Sequence, residues 1–137
     1  MGRILAIDYG RKRTGLAVTD ALRITANPLL TIETKELLGW LQEYFAKEQV
    51  DEVVIGHPTQ MNGEESESMK YIRPFMGQFK KQFPDKLITM YDERFTSVLA
   101  HQAMLAGGMK KKDRKNKAVV DKIAACIILE GYLESLR

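Results

Sequence analysis

The sequence predicts an α/β fold: a five-stranded mixed sheet, three antiparallel strands followed by two parallel ones, flanked by helices. Two observations predict it. The short apolar segments "RILAIDYG" and "TGLAVTD" flank a compact stretch of glycine and bases, the pattern of a β-hairpin. Further along, a stretch with helical periodicity leads into the brief apolar run "DEVVIG", and an order of strand, helix, strand implies parallel pairing through a right-handed crossover.

The elements follow in order. "ITANPLLTIET" reads as a third strand, in which Pro28 suits an edge or a bulge better than a sheet centre. "TKELLGWLQEYFAKEQ" spaces Leu37, Leu38, Leu41, Tyr44 and Phe45 by three and four, the stripe of an amphipathic helix that Gly39 weakens slightly. "DEVVIG" is the fourth strand, and "HPTQMNGEESES" after it is polar and rich in turn formers. A second helix in "ESMKYIRPFMGQFKKQF" is expected to kink or break near Pro74. "KLITMYDE" is the fifth strand; Thr96 reads as the N-cap of a helix in "SVLAHQAMLAGG", closed by its paired glycines. The basic run "KKKDRKNK", Lys110 to Lys117, is the one segment expected to be disordered, and a last helix covers Ala118 to Leu136. No internal repeat or second domain is visible, so residues 1–137 are expected to form one domain.

A chain of 137 residues can bury a core without disulfides, and its one cysteine, Cys126, sits among apolar residues at helical spacing, which predicts a buried packing thiol. With only His57 and His101 beside it, zinc is poorly supported, and a metal here would be bound by oxygen, as Mg²⁺ and Mn²⁺ prefer. "MGRILAIDYG" reaches an acid too early for a signal peptide, and no apolar run approaches the ~20 residues that span a bilayer. The expectation is a cytoplasmic protein with no membrane partner. Net charge is only +3, yet "RKR" (Arg11 to Arg13) and "KKKDRKNK" concentrate the bases, which suits a polyanionic partner. Solvated loops explain either cluster taken alone equally well.

The carboxylates are more informative. Asp8 follows the apolar run Ile4 to Ile7, where a charge is expensive unless a cation or turn amides meet it. Gly10 would let another chain or a substrate backbone come close. Asp92 and Glu93 end the fifth strand and, being adjacent, point to opposite faces, so only one can share a face with Asp8; Arg94 can pair with either. In the last helix Asp121 shares a stripe with Ala118, Ala124, Ala125, Ile128 and Tyr132, and the small alanines allow close approach to the sheet. If the first and fifth strands run parallel, their acids lie together outside the carboxyl ends, where ligands gather in open α/β sheets. Such a set suits hard divalent ions, two of which, ~3.5–4 Å apart, support phosphodiester hydrolysis. The neighbouring bases would hold a nucleic-acid backbone.

"AIDYGRKRTGLAVTD", "GHPTQMNG", "DERFTS" and "VVDKIAACIILEGYL" resemble, in order and spacing, four motif blocks of the YqgF family, bacterial proteins described as candidate Holliday junction resolvases or pre-16S ribosomal RNA nucleases. The resemblance spans nearly the whole chain and implies a ribonuclease H-like fold. It places the acidic, metal-holding site on Asp8, Glu93 and Asp121, and so selects Glu93 over Asp92. It also makes Gly56, Pro58 and Gly63 loop-shaping residues, and Lys12 and Arg94 partners of phosphate or carboxylate. His57 stands where a small or apolar residue is expected, and reads either as a loop residue without chemistry or as a rim histidine near a scissile phosphate. The implied activity is hydrolysis of phosphodiesters with one or two Mg²⁺ or Mn²⁺ ions. Gly10, Arg11, Lys12, Arg13, Arg94, Lys115 and Lys117 would contact the substrate. Precursor ribosomal RNA is the favoured partner; branched DNA, which would suit a homodimer over a monomer, and a noncatalytic nucleic-acid-binding role are the alternatives. The first strand and its hairpin also resemble the phosphate-binding hairpin of sugar kinases and actin-like ATPases, but those need two such domains around the nucleotide.

Overall fold

The computed structural model describes residues 2–57, 69–92 and 117–136, the side chains of His57, Asp92 and residues 117–121 excepted. Strands β1 (Arg3–Asp8), β2 (Arg13–Thr19) and β3 (Ala26–Glu33) form an antiparallel meander. A 3₁₀ turn at Thr34–Glu36 leads into α1 (Leu37–Lys47), which returns the chain to β4 (Val50–His57), parallel to β1. Helix α2 (Met69–Gln82) precedes β5 (Leu87–Asp92), parallel to β4, and α3 (Lys117–Ser135) comes last. The sheet order is β3-β2-β1-β4-β5, the mixed five-stranded arrangement expected.

β1 is central, and Ile4, Leu5, Ala6 and Ile7 are all fully buried. A strand covered on both faces needs an unbroken apolar run, which is why alternation is absent there. Leu5 and Ile7 join Leu16, Val53 and Ile55 beneath Leu37 and Leu41 of α1 and Ile72, Phe75 and Phe79 of α2. Ile4 and Ala6 join Ala17 and Val54 on the other face, beneath Ala125, Ile128, Leu129 and Leu133 of α3.

Pro28 meets both of its expected roles. β3 is an edge strand, and the register steps from Leu16 opposite Leu30 to Ala17 opposite Pro28, so that Leu29 is the extra residue of a bulge. At Pro74 the expected break is absent, because α2 continues through it from Met69 to Gln82. The proline forfeits one hydrogen bond, to the carbonyl of Lys70 in the first turn, while Met69, Ile72, Phe75 and Phe79 hold the helix to the core. The buried stripe of α3 is also rotated from the one expected: Leu129 and Leu133 are buried, while Ala124 and Tyr132 lie at its margin.

Candidate active site

Asp8 is the last residue of β1, opposite Gly15 of the hairpin. Ile7 is level with Ile55, and Ile55 with Met90, so Asp8 stands at the height of the Gly56–Tyr91 pair. With strands about 4.8 Å apart, the backbones of Asp8 and Tyr91 are separated by about 10 Å. Alternation gives Asp8 the parity of Ile4 and Ala6, the α3 side of the sheet. On β5, Thr89 and Tyr91 lie on that same side, against Glu52 and Tyr132, whereas Ile88 packs toward α1 and α2.

The loop after Asp8 is held rigidly. Thr34 donates its hydroxyl to the Gly10 carbonyl at 2.7 Å and its backbone N–H to the Lys12 carbonyl at 2.9 Å. The fully buried Thr14 hydroxyl lies 2.8 Å from the Thr34 oxygen and, with the Thr34 proton spent on Gly10, is the donor there. Gly10 owes its lack of a side chain to this turn: an added Cβ would lie 2.1 Å from the Arg13 carbonyl oxygen. The close approach at Gly10 is thus made, within the chain, by the hairpin's own Arg13 carbonyl. Tyr9 packs its ring on Phe75 at 4.8 Å, and partial burial raises its hydroxyl pKa. The Arg11 guanidinium lies over the Tyr71 ring, 5.1 Å from its centroid. The side chains of Arg11, Lys12 and Arg13 are all exposed.

Asp121 stands one turn before Ala125 and two before Ile128, both fully buried against the sheet. Near the other end of α3, Tyr132 donates a short hydrogen bond to Glu52, at the start of β4, and Thr89 donates to the same oxygen at 3.0 Å. Glu93, Arg94 and Lys115 lie outside the described residues, as do Pro58, Gly63, Thr96, His101 and the 110–116 stretch, while Lys117 opens α3. His57 and Asp92 pair as the last residues of β4 and β5. Among the described residues no three metal-ligating side chains come together, and of the three expected ligands only Asp8 has its side chain described. Cys126 is half-buried, where a buried thiol was expected; desolvation, and then the charge of Glu130, push its pKa up to about 11. The thiol stays neutral near pH 7, which suits packing and not nucleophilic attack.

Two features escaped sequence reading. The acid inside "DEVVIG" was the signal for Glu52, since residues 52 and 54 of a strand share a face and Val54 is core. Tyr71 is an aromatic set off the buried stripe of α2, visible only once that stripe is fixed.

With this geometry in place, comparison with known proteins gives a consistent result. A family model described as "RuvX: Holliday junction resolvase" matches residues 2–135. A protein of Phocaeicola vulgatus, called "Putative pre-16S rRNA nuclease", is 61% identical over 98% of this chain and 97% of its own length. Proteins of the same name from Bacteroides thetaiotaomicron and Porphyromonas gingivalis are 59% and 53% identical, covering 100% and 98% of this chain and 99% and 98% of their own. Among solved structures, the Pelota protein of Archaeoglobus fulgidus aligns with a TM-score of 0.46 and 13% identity, over 98% of this chain and 37% of its own.

Proposed function

For a chain that belongs to the RuvX family of Holliday junction resolvases, we propose a metal-dependent nuclease that hydrolyses phosphodiester bonds of precursor 16S ribosomal RNA during 5′-end processing. The observation that carries this reading is the place of Asp8. It is a carboxylate at the carboxyl end of the central strand, beside two strands parallel to it and on the side of the sheet that α3 covers. The choice of RNA rests on the name of the relatives, "Putative pre-16S rRNA nuclease".

Asp8, Glu93 and Asp121 are the residues that would hold one or two Mg²⁺ or Mn²⁺ ions; carboxylate oxygens are the donors such ions prefer. Bound there, the ions would lower the pKa of water and stabilise charge on phosphodiester oxygens. Glu93 is taken over Asp92 on the family resemblance of the "DERFTS" block. Asp121 is eleven residues before Tyr132, about 16 Å along a helix axis. Glu52 is four residues before Gly56, about 13 Å along a strand. A helix anchored by Tyr132 at the start of β4 thus has the length to bring Asp121 to the height of Asp8.

The hairpin supplies the substrate's other contacts. Lys12 and Arg13 would neutralise phosphates, and the Thr34 network keeps that loop from rearranging around Asp8. The test is a side-by-side cleavage assay on 5′-extended 16S precursor and on a synthetic four-way junction, with Asp8→Asn as control. Metal-dependent cutting of the precursor, lost in the variant, supports the reading. Cutting of the junction alone replaces it with the resolvase reading, and cutting of neither by the wild-type protein removes it.

A further inference from the structure

We infer that Tyr71 and Arg11 form a stacking site for an unpaired base, so that the substrate strand is taken single-stranded beside the bond to be cut. The inference deepens the nuclease reading above and rests on it.

Tyr71 has no role in the core. Met69, Ile72, Phe75 and Phe79 form the buried face of α2, whereas Tyr71 is 40% exposed with the Arg11 guanidinium over its ring. Arg11 is the third residue after Asp8, so the two Cα atoms are within about 10 Å of each other. The Thr34 bonds to Gly10 and Lys12 fix the loop between, and the packing of Tyr9 on Phe75 ties it to α2. Lys12, next to Arg11 in the chain, and Lys70, next to Tyr71, are exposed and add bases to this surface. Contacts to phosphate alone need bases and no ring. An exposed aromatic with a stacked guanidinium amid bases is the arrangement that holds single-stranded nucleic acid, because every base has a π-face to offer once it leaves a duplex. A paired base has both faces covered by its neighbours. The site therefore favours an unpaired strand that passes from Asp8 across the hairpin toward the start of α2.

The test measures binding of a short single-stranded RNA and of its duplex in the absence of divalent metal, which separates recognition from cleavage. Tyr71→Ala should weaken single-strand binding roughly 5- to 100-fold, Tyr71→Phe should restore it, and the duplex should be little affected. Scanning the RNA with single abasic nucleotides should reveal one position where loss of the base weakens wild-type binding and has no effect on Tyr71→Ala. Tyr71→Ala should also leave the salt dependence unchanged, whereas Lys12→Ala should flatten it by about 0.7 in log–log slope. If Tyr71→Ala binds single strands as tightly as the wild type, or weakens intact and abasic RNA alike, the stacking site is overturned while the nuclease reading stands. That reading falls instead to the cleavage assay, whatever the binding result.

Discussion

The two ends of the central strand use the same residue types to opposite effect. At its amino end the charged groups are closed on one another. Arg3 donates to the Thr19 carbonyl at 2.9 Å and pairs with Glu48 at 3.3 Å, and the Ile4 N–H is taken by the Thr19 hydroxyl at 2.9 Å. Arg23 is held at a positive φ of 58°, where its guanidinium reaches the Gly2 carbonyl at 2.8 Å and Asp51 at 3.2 Å. At the carboxyl end the backbone is fixed as firmly, through Thr34, yet Arg11 lies over an exposed ring and the Lys12 side chain is exposed. An arginine consumed by carbonyls and carboxylates holds the fold together. One stacked on an exposed tyrosine, among further bases, is available to a ligand.

The largest effect that can break this contrast comes from Asp8→Asn. Removing the charge at the carboxyl end should lower the cleavage rate by a factor on the order of 10³ or more, the value of several kcal/mol of transition-state stabilisation, with RNA binding and thermal stability nearly unchanged. Glu52→Ala at the other end should do the reverse. It strips the Thr89 and Tyr132 hydroxyls of their acceptor in a largely buried place, and should cost about 1–3 kcal/mol in urea unfolding. Its residual effect on cleavage should be small at temperatures where the variant is folded. If Asp8→Asn loses stability and Glu52→Ala loses only activity, the assignment of the two ends is inverted.

How much of this could be read from the sequence follows the same division. The strands and helices were legible because burial writes itself as periodicity: the Ile4–Ile7 run, the Leu37 and Leu41 spacing, and Pro28 at a place where the sheet has an edge and a bulge. The parallel run of β4 and β5 followed from element order, whereas the central position of β1, on which the importance of Asp8 depends, is seen only in its pairing with both β2 and β4. What approaches Gly10, the Arg13 carbonyl, was not legible, because sequence shows that a glycine is needed and not which neighbour needs it. The break considered at Pro74 does not occur because the cost of a proline in a helix depends on the packing that opposes it. The pairing of Arg11 with Tyr71 joins residues 60 apart, and no local pattern in either segment announces it.

Smaller effects sharpen the view that the hairpin is a rigid support. Gly10→Ala places a methyl group against the Arg13 carbonyl, so the backbone must move; a loss of about 1–3 kcal/mol is expected, together with a lower cleavage rate. Thr34→Val removes the bonds to Gly10 and Thr14 but keeps the shape and the backbone bond to Lys12, and should cost about 1–2 kcal/mol. Circular dichroism melts with parallel cleavage assays check both. A variant that loses stability while keeping full activity would show that the loop supports the fold without positioning the site.

The smallest effect concerns acid, and it tests whether the amino end is closed by charge. The Asp51 pKa is lowered first by the Gly2 N–H, 2.7 Å from its oxygen, with a side-chain bond from Gln49 and the charge of Arg23 adding to it. A carboxyl group whose folded pKa lies below its unfolded value of about 3.9 stabilises the protein above that value and loses the contribution as pH falls through the folded pKa. Asp51→Asn should therefore lower the urea midpoint slightly at pH 7 and hardly at all near pH 2, so that the wild-type and variant curves converge as the solution is acidified. Because Asp51 lies at the surface, the gap should shrink with added salt. A gap that stays constant from pH 7 to pH 2 would mean that the Gly2 and Arg23 contacts act through shape and not charge, and the amino end would then be closed by packing alone.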